Sequence, residues 1–451
     1  MPMIRPFKCV RPAGDKASAI AALPYDVYNR KEAKEVVGRN PLSFLKIDRA
    51  ETQFPDETDM YSTQVYERAR DTLEEMMADG SFVTEEEPCF YLYALTYEGR
   101  TQTGIVGCAS VDDYLNGSIR RHENTKEDKE RDRICHVDIM DAQTGPIFLA
   151  YREQEELKQI VDEVKRDGPI YDFVSEDGIR HQVWKISSGI QITGMENAGV
   201  QGGEGEKVKV QCTRYDKAGV IERISEIFAG LDCVYIADGH HRAASAVKVG
   251  QKRRMEHPDY DGTEEFNYFL SVLFPAEELQ ILDYNRVVTG LNGRTFEELL
   301  EEIGKKFHVR VHEAAFHPER KGEIAMYGNG RWYRLTVHEE LYTDDPVDDL
   351  DVSILQNHIL DPLLGIRNPK ADPRIQFIGG IRGLDELVRL VDEPCGGEED
   401  VDCPRLAFAM YPTSMEELLA VADVGRLMPP KSTWFEPKLR SGLFIHMLSE
   451  S

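Results

Sequence analysis

Apolar and polar residues along this chain switch repeatedly between short, nearly continuous apolar runs and a three-to-four-residue period, the pattern of strands alternating with helices. Phe7 to Val10 reads as an opening strand. Leu23-Pro24-Tyr25-Asp26-Val27 is a proline-bounded turn into a charged helix from Arg30 to Val37, which Asn40-Pro41 stops. Ser43 to Asp48 reads as a strand. Asp59 to Asp79 reads as a helix with Tyr61, Val65, Ala69, Leu73 and Met76 on one face and Gly80 at its end. Phe90 to Thr96 and Thr103 to Val111 flank Glu98-Gly99-Arg100 as a hairpin, and the almost wholly polar stretch from Gly117 to Arg133 is a candidate active-site loop. The strand Pro146 to Tyr151, the helix Gln154 to Lys165 and the strands Ile170 to Val174 and Gln182 to Ile186 follow. The glycine-rich stretch Asn197 to Glu206 reads as a mobile loop or an insertion. Helix Val220 to Leu231 leads into the strand Cys233 to Ala237, and a helical run from Arg242 to Val249 ends at Gly250. The pattern continues with strand Phe266 to Phe274, helix Thr295 to Phe307, strand Arg331 to Val337, helix Ser353 to Leu364, an acidic turn from Cys395 to Cys403, strand Leu406 to Tyr411 and helix Ser414 to Val421. This alternation without a repeat predicts an α/β chain with mixed sheets, an α+β arrangement.

Length and charge narrow the possibilities. At 451 residues the chain exceeds one simple core, and we expect a core domain over 1–290 and a C-terminal α/β domain over 291–451. Lys and Arg total 54 against 81 Asp and Glu, a net charge of -27 with no basic tract, which argues against nucleic acid as the main partner. The eight cysteines form no C-x-x-C pair, so neither a zinc ribbon nor a disulfide framework is indicated and reduced thiols are expected. No apolar run approaches the ~18 residues of a membrane span, and the first residues lack a signal-peptide core. A cytoplasmic protein without a membrane partner is expected; the oligomeric state stays open.

The most informative stretch is IADGHHRAASA, Ile236 to Ala246, where a strand stops at Asp238-Gly239 and a helix begins. A helix start offers unpaired N–H groups and a partial positive charge, and His240, His241 and Arg242 add donors, so an anion suits this turn. The plainer reading is a helix capped by Asp238 with surface histidines beyond it. Three other strings carry candidate chemistry. In IRRHENT, Arg121, His122 and Glu123 combine anion-binding donors with a general base, against the alternative of a solvated charge run. In MPPKSTWFEPK, Lys431, Ser432, Thr433 and Lys438 offer cations and hydroxyls to an anionic ligand, or serve only as an anchoring turn. Asp26 is a base or metal ligand, or caps the helix that follows.

Together PYDV, RHENT, TGPIFLAY (Thr144 to Tyr151), YIADGHHRAASA and MPPKSTWFEPKL resemble the domain-of-unknown-function 1015 family over nearly the whole chain. DGHHR also resembles the phosphate-binding box of the ParB/sulfiredoxin superfamily and is similar to the turn of its free-serine kinases, which implies a ParB/sulfiredoxin-like nucleotide-binding core elaborated by additional mixed sheets. On that resemblance Gly239 permits close approach of backbone to phosphate, and Arg242 and His241 bind it. His240 stands where sulfiredoxin has its reactive cysteine, which removes the nucleophile. The implied activity is a nucleotide-dependent phosphotransferase acting on a small hydroxylated metabolite, a free amino acid such as L-serine being the most concrete acceptor, with ATP or ADP, alternatively CTP, as donor and Mg²⁺ bridging the phosphates. Gly239, His240, His241 and Arg242 would form the phosphate cradle, and Asp238 would be metal ligand or base, with Glu123, Asp26 and His122 as other catalytic candidates. Arg121, Lys431, Ser432, Thr433 and Lys438 would bind substrate. Two alternatives stand beside it: a regulator that binds nucleotide without turnover, and a metal-dependent hydrolase using Asp238, His240, His241 and His122, which lacks H-x-H or H-x-x-x-H spacing.

Overall fold

A computed structural model describes residues 1–125, 127–187, 193–195, 212–214, 219–393 and 404–449. By contacts along the chain it divides into two compact units, one of Met1–Arg120, Thr125–Leu279 and Pro437–Ser451, the other of Arg121–Asn124 and Gln280–Glu436. This division departs from the expected 1–290 and 291–451. The last residues return to the first unit because the strand Ile445–Met447 pairs with Cys9–Pro12 and Ala142–Gln143. Sequence adjacency gives no warning of such a closing strand.

In the first unit a nine-stranded mixed sheet runs in the order Ile119–Arg120, Val234–Asp238, Ile147–Tyr151, Tyr268–Pro275, Arg100–Ser110, Phe90–Tyr97, Arg180–Ile186 and Tyr171–Val174, with Ile4–Arg5 also paired to Arg100–Ser110. Its centre is the hairpin expected at Glu98-Gly99. Both residues have positive φ, 49° and 80°, the geometry that matches the twist of tightly joined strands. Most pairs are antiparallel, but Val234–Asp238 runs parallel to Ile119–Arg120 and Tyr268–Pro275 parallel to Ile147–Tyr151. Ile147–Tyr151 and Tyr268–Pro275 are buried end to end, and Val234–Asp238 as far as Ala237, which is why they read as unbroken apolar runs. A second sheet joins Phe82–Thr84, Cys9–Pro12, Ile445–Met447 and Ala142–Gln143.

Helices cover these sheets. Arg30–Arg39 starts at a capping box in which Asn29 and Glu32 satisfy each other's backbone N–H, and it ends at Asn40 as expected. Thr63–Ala78 buries Val65, Ala69, Leu73 and Met76, whereas Tyr61 precedes it and is exposed. The expected strand at Ser43 to Asp48 is instead the single helical turn Leu45–Asp48, with Phe44, Leu45 and Ile47 all buried. A short apolar run fits either geometry when both of its faces are covered. The helix His240–Glu256 runs on past Gly250. There a Cβ would lie 2.6 Å from the carbonyl oxygen of Phe266, so this glycine marks close passage of another segment's backbone and not a helix end.

The second unit is built on a sheet of six antiparallel strands, Phe307–His312, Arg331–Val337, Glu323–Gly328, Arg405–Met410, Tyr284–Thr289 and Ile375–Gly379. Helices Phe296–Gly304 and Met415–Asp423 both begin at capping boxes, Thr295 with Glu298 and Ser414 with Glu417. The helix expected from Ser353 to Leu364 is shorter and changes pitch, an α-helix Asp351–Leu355 followed by a π-helical turn Gln356–Leu360. The fold is mixed α+β, as the periodicity predicts. The stretches 197–206 and 395–403 lie outside the described residues. Among the described residues no helix is long and apolar enough to cross a membrane.

Candidate functional site

The turn at Asp238-Gly239 is shaped by a fault in the sheet. Tyr235 and Ile236 pair with Ala150 and Leu149, but Asp238 pairs with Phe148, so Ala237 is an extra residue and the strand bulges just before it ends. Such a bulge re-aims the side chain that follows. Gly239 then adopts φ 92° and ψ 29°, a left-handed conformation that glycine enters without steric cost, and the helix begins at His240. No side chain caps it. The geometry does not bear out the plainer reading, in which Asp238 caps the helix: among the described residues its Oδ1 accepts from the adjacent Gly239 N–H alone, at 2.8 Å. The first intrahelical bond runs from Ala243 N–H to Gly239 O at 2.9 Å, which leaves the preceding N–H groups to other acceptors.

Cations gather on this turn. Lys438 Nζ lies 3.2 Å from Asp238 Oδ2. Arg242 folds back over Gly239, where an added Cβ would meet Nε and Nη2 at 3.1 Å; its Nη1 donates to Pro146 O at 2.6 Å and passes close to Gly145. Nε and Nη2 have no protein partner among the described residues. Burial pushes the Asp238 carboxyl up, but the charges of Lys438 and Arg242, with hydrogen bonds from Lys438 and Gly239, outweigh it and hold the group well below the ordinary carboxylate range. A carboxylate held that way keeps its charge and takes up a proton poorly. His240 is buried and His241 half-buried.

Arg242 forms part of the wall of a small cavity of about 40 Å³, together with Tyr25, Arg133, Thr144, Gly145 and Ser441. A larger cavity of about 540 Å³ adjoins it and shares Tyr25, Asp48, Arg133 and His136. The shared wall is polar and tightly bonded. The Arg133 guanidinium lies 3.9 Å over the Tyr25 ring centre and pairs with Asp132 at 2.8 Å. Asp48 Oδ1 accepts from Thr144 Oγ1 at 2.9 Å. His136 donates from Nε2 to Ile47 O at 3.3 Å; burial first, then the charge of Arg133, pushes its pKa down to about 4, so it is neutral near pH 7 with Nδ1 as acceptor.

The model of the family described as "Protein of unknown function (DUF1015)" matches residues 4–353. The chain belongs to the DUF1015 family. No curated protein matches it. Among solved structures it is similar to a mutant free serine kinase in complex with AMP (TM-score 0.34, 12% identity, covering 74% of this chain and 87% of that one). A conserved hypothetical protein from Pyrococcus furiosus (TM-score 0.33, 12% identity, 75% and 93%) and SbnI with a C-terminal truncation from Staphylococcus aureus (TM-score 0.33, 11% identity, 73% and 82%) are similar to the same degree. Likeness at this level carries no residue correspondence, and none is drawn from it.

In this DUF1015 chain the candidates from sequence fall into two groups. Asp238, Gly239, His240, His241, Arg242 and Lys438 meet at the turn, and Asp26 is on the wall of the larger cavity of the same unit. Arg121, His122, Glu123, Lys431, Ser432 and Thr433 belong to the second unit. There His122 Nε2 lies 3.3 Å from Thr433 Oγ1, Arg286 donates to Lys431 O, and Ser432 Oγ donates to Pro429 O at 2.7 Å. Sequence reasoning missed Asp48, Arg133 and His136. The one available signal was that Arg133 ends the polar stretch already singled out.

Proposed function

We propose that this protein is a nucleotide-dependent phosphotransferase that acts on a small hydroxylated metabolite. The observation that carries the reading is the turn at Gly239: a helix start whose N–H groups, the unpartnered Nε and Nη2 of Arg242 and the ammonium of Lys438 surround one point beside a cavity. Phosphoryl transfer needs positioning and charge neutralisation more than covalent help, and this donor set supplies both. Gly239, His240, His241 and Arg242 hold the phosphates. Asp238, kept anionic, orients Lys438 and is the carboxylate of the turn that would meet a nucleotide-bound Mg²⁺. Such an ion takes one or two carboxylates and completes its shell with phosphate and water, and when bound it would neutralise charge building on the phosphates. The depressed carboxyl of Asp238 argues against a role as base. Proton acceptance falls to a carboxylate of the larger cavity, Asp26 or Asp48, and Asp48 belongs to both cavities.

In the reaction the acceptor oxygen bonds to the terminal phosphorus, the bridging P–O bond breaks with its electron pair staying on the nucleotide, and the hydroxyl proton passes to that carboxylate. The hydrolase alternative finds no support: among the described residues no group of three or more His, Cys, Asp or Glu could hold a metal ion. The test is purified protein with Mg²⁺ and ATP, ADP or CTP against a panel of hydroxylated metabolites, followed by ³¹P NMR. Consumption of a nucleotide that depends on one acceptor is expected, and Arg242→Ala should abolish thermal protection by that nucleotide. Nucleotide binding without consumption across the panel would refute turnover and leave the regulatory reading; binding indifferent to Arg242→Ala would refute the cradle.

A further inference from the structure

One buried cation of the second unit has no counter-charge among the described residues. Those residues include four buried arginines, Arg49, Arg133, Arg286 and Arg440. Three of them meet a carboxylate: Arg49 pairs with Glu51 at 2.6 Å, Arg133 with Asp132 at 2.8 Å, and Arg440 with Asp177. Arg286, 3% exposed on the strand Tyr284–Thr289, meets only carbonyls and an aromatic ring. Its Nη1 donates to Tyr284 O and its Nη2 to Lys431 O at 3.0 Å, and its Cζ lies 5.5 Å over the centre of the Phe377 ring. The difference shows in the titration of two guanidiniums that are both deep in the protein. Burial pushes the Arg286 pKa down to about 10, against the pull of Tyr284. At Arg133 burial acts the same way, but the charges of Asp132, Tyr25 and Asp48 overcome it and the pKa is raised. Arg286 therefore keeps its charge at pH 7 without an anion beside it.

A carbonyl satisfies an N–H but does not cancel a charge, and a charge left buried and uncompensated is strongly destabilising. The two carbonyl bonds also leave the rest of the guanidinium's planar fork of donors, which fits an oxyanion. A second cation stands at the same place. Lys431 is exposed, and its Nζ lies 5.4 Å over the ring of Tyr284, the residue whose carbonyl Arg286 holds. Lys431 also has φ 60°, a left-handed conformation that costs an L-residue energy, and its carbonyl is the other one that meets Arg286. Strain of this kind marks positions that the surrounding structure over-determines, among them ligand clamps. Charge decides the class of ligand. A carboxylate would answer one of the two cations, whereas a phosphate monoester carries about -1.5 to -2 near pH 7 and answers both. We propose that Arg286 and Lys431 form an anion site in the second unit that takes a phosphate group, inorganic or esterified. The site is independent of the phosphotransferase reading, whose phosphates are held at Gly239.

The experiment is urea denaturation of the full-length protein along an inorganic phosphate series at constant ionic strength. It is run in the Arg242→Ala background, so that the turn at Gly239 does not contribute, with and without Arg286→Met. Phosphate strengthens folded states in general by exclusion from their surfaces, so the readout is the difference between the two proteins. Stability of the Arg286 protein should rise over that of the Arg286→Met protein by a margin that grows with phosphate and saturates, as binding to the folded state requires. A margin that phosphate leaves unchanged, in either direction, would mean that the guanidinium only ties carbonyls together, and it overturns the proposal. Lys431→Met, at an exposed position, keeps the test decisive if Arg286→Met does not fold. It should weaken the apparent phosphate affinity tenfold or more, and an unchanged affinity also overturns the proposal. Glycerol 3-phosphate in place of inorganic phosphate separates the two sources: tighter binding of the ester, or of the free ion, supports the site and identifies its ligand, whereas a saturable margin with neither refutes it by its absence.

Discussion

Replacing Gly239 with alanine perturbs the candidate cradle at a single atom. At φ 92° the new residue sits beyond even the usual left-handed basin near +57°, where an L-residue costs about 1–2 kcal/mol. The added Cβ would also stand 3.1 Å from Nε and Nη2 of Arg242 and 3.2 Å from its Cζ. The guanidinium cannot simply withdraw, because Nη1 is bonded to Pro146 O and passes close to Gly145 on its other side. Strain and displacement together should destabilise the fold by about 2 kcal/mol, a fall of roughly 4–8 °C in Tm for a unit of this size. Nucleotide affinity should drop by at least tenfold as Arg242 is pushed out of register. Urea denaturation and nucleotide titration of Gly239→Ala measure the two effects. Gly38→Ala is the control: it lies inside the helix Arg30–Arg39 with nothing within 4 Å of the new Cβ, and it should stabilise slightly, by about 0.5–1 kcal/mol. A Gly239→Ala protein within 0.5 kcal/mol of wild type, by the ~1–2 kcal/mol scale above, with unchanged nucleotide affinity, would show that the turn neither requires the left-handed conformation nor binds through it.

Other regions give independent checks. His136 and His181 are buried and neutral, with pKa values pushed by burial, and then by Arg133 and Arg440, down to about 4 and about 3. Because the unfolded chain takes up protons there that the folded chain refuses, stability present above pH ~6.5 should be lost as pH falls, by about 2 kcal/mol for each histidine at pH 5. Urea melts of His136→Gln and His181→Gln from pH 7 to 4.5 should each show a flatter slope than wild type, and parallel slopes would contradict it. Asp351 runs the other way: buried, with both oxygens accepting from Gly322 N–H, its pKa is pushed up to about 7, mainly by burial. It binds a proton when folded that it lacks when unfolded, so its contribution is complete below pH ~4 and is lost as pH rises to about 7, on the order of 3–4 kcal/mol. Asp351→Asn should remove that dependence in melts of the whole chain followed from pH 4 to 8. Gly250→Ala should cost about 1–3 kcal/mol in urea denaturation despite better helix propensity, because the Phe266 carbonyl 2.6 Å away belongs to backbone; a stabilised variant would refute the close contact.

How much of the fold could be read beforehand depended on whether the signal was local. The hairpin at Glu98-Gly99 and the helix Arg30–Arg39 were legible because a tight turn, and a proline-bounded start and an Asn-Pro stop, are properties of a few neighbouring residues. The turn Leu45–Asp48 was not, since Phe44, Leu45 and Ile47 are covered on all sides and no polar alternation remains to distinguish a strand from a helix. Gly250 misled for a related reason. A glycine that ends a helix and one that admits a neighbouring backbone look alike until the neighbour is in place.

The candidate site divides along the same line. That Asp238-Gly239 ends a strand and starts a helix followed from composition alone, but the bulge at Ala237 depends on pairing with Phe148 and Leu149, far away in the chain. Lys438 lies 200 residues from Asp238, and its cation decides the chemistry there: alone at a helix start a carboxylate could serve as base, whereas beside Lys438 and Arg242 it is held anionic. The role open to Asp238 was therefore set by a contact that its own sequence neighbourhood does not encode. The same holds for Asp48, Arg133 and His136, drawn from a short helix and a charged one that look unremarkable separately and that wall both cavities together. If proton transfer belongs to that wall and not to the turn, Asp48→Asn should abolish turnover while nucleotide affinity stays within twofold, and Arg242→Ala should do the reverse to affinity. Equal loss of affinity in both variants would mean that the two groups act as one phosphate site and that the division of labour between turn and wall is mistaken.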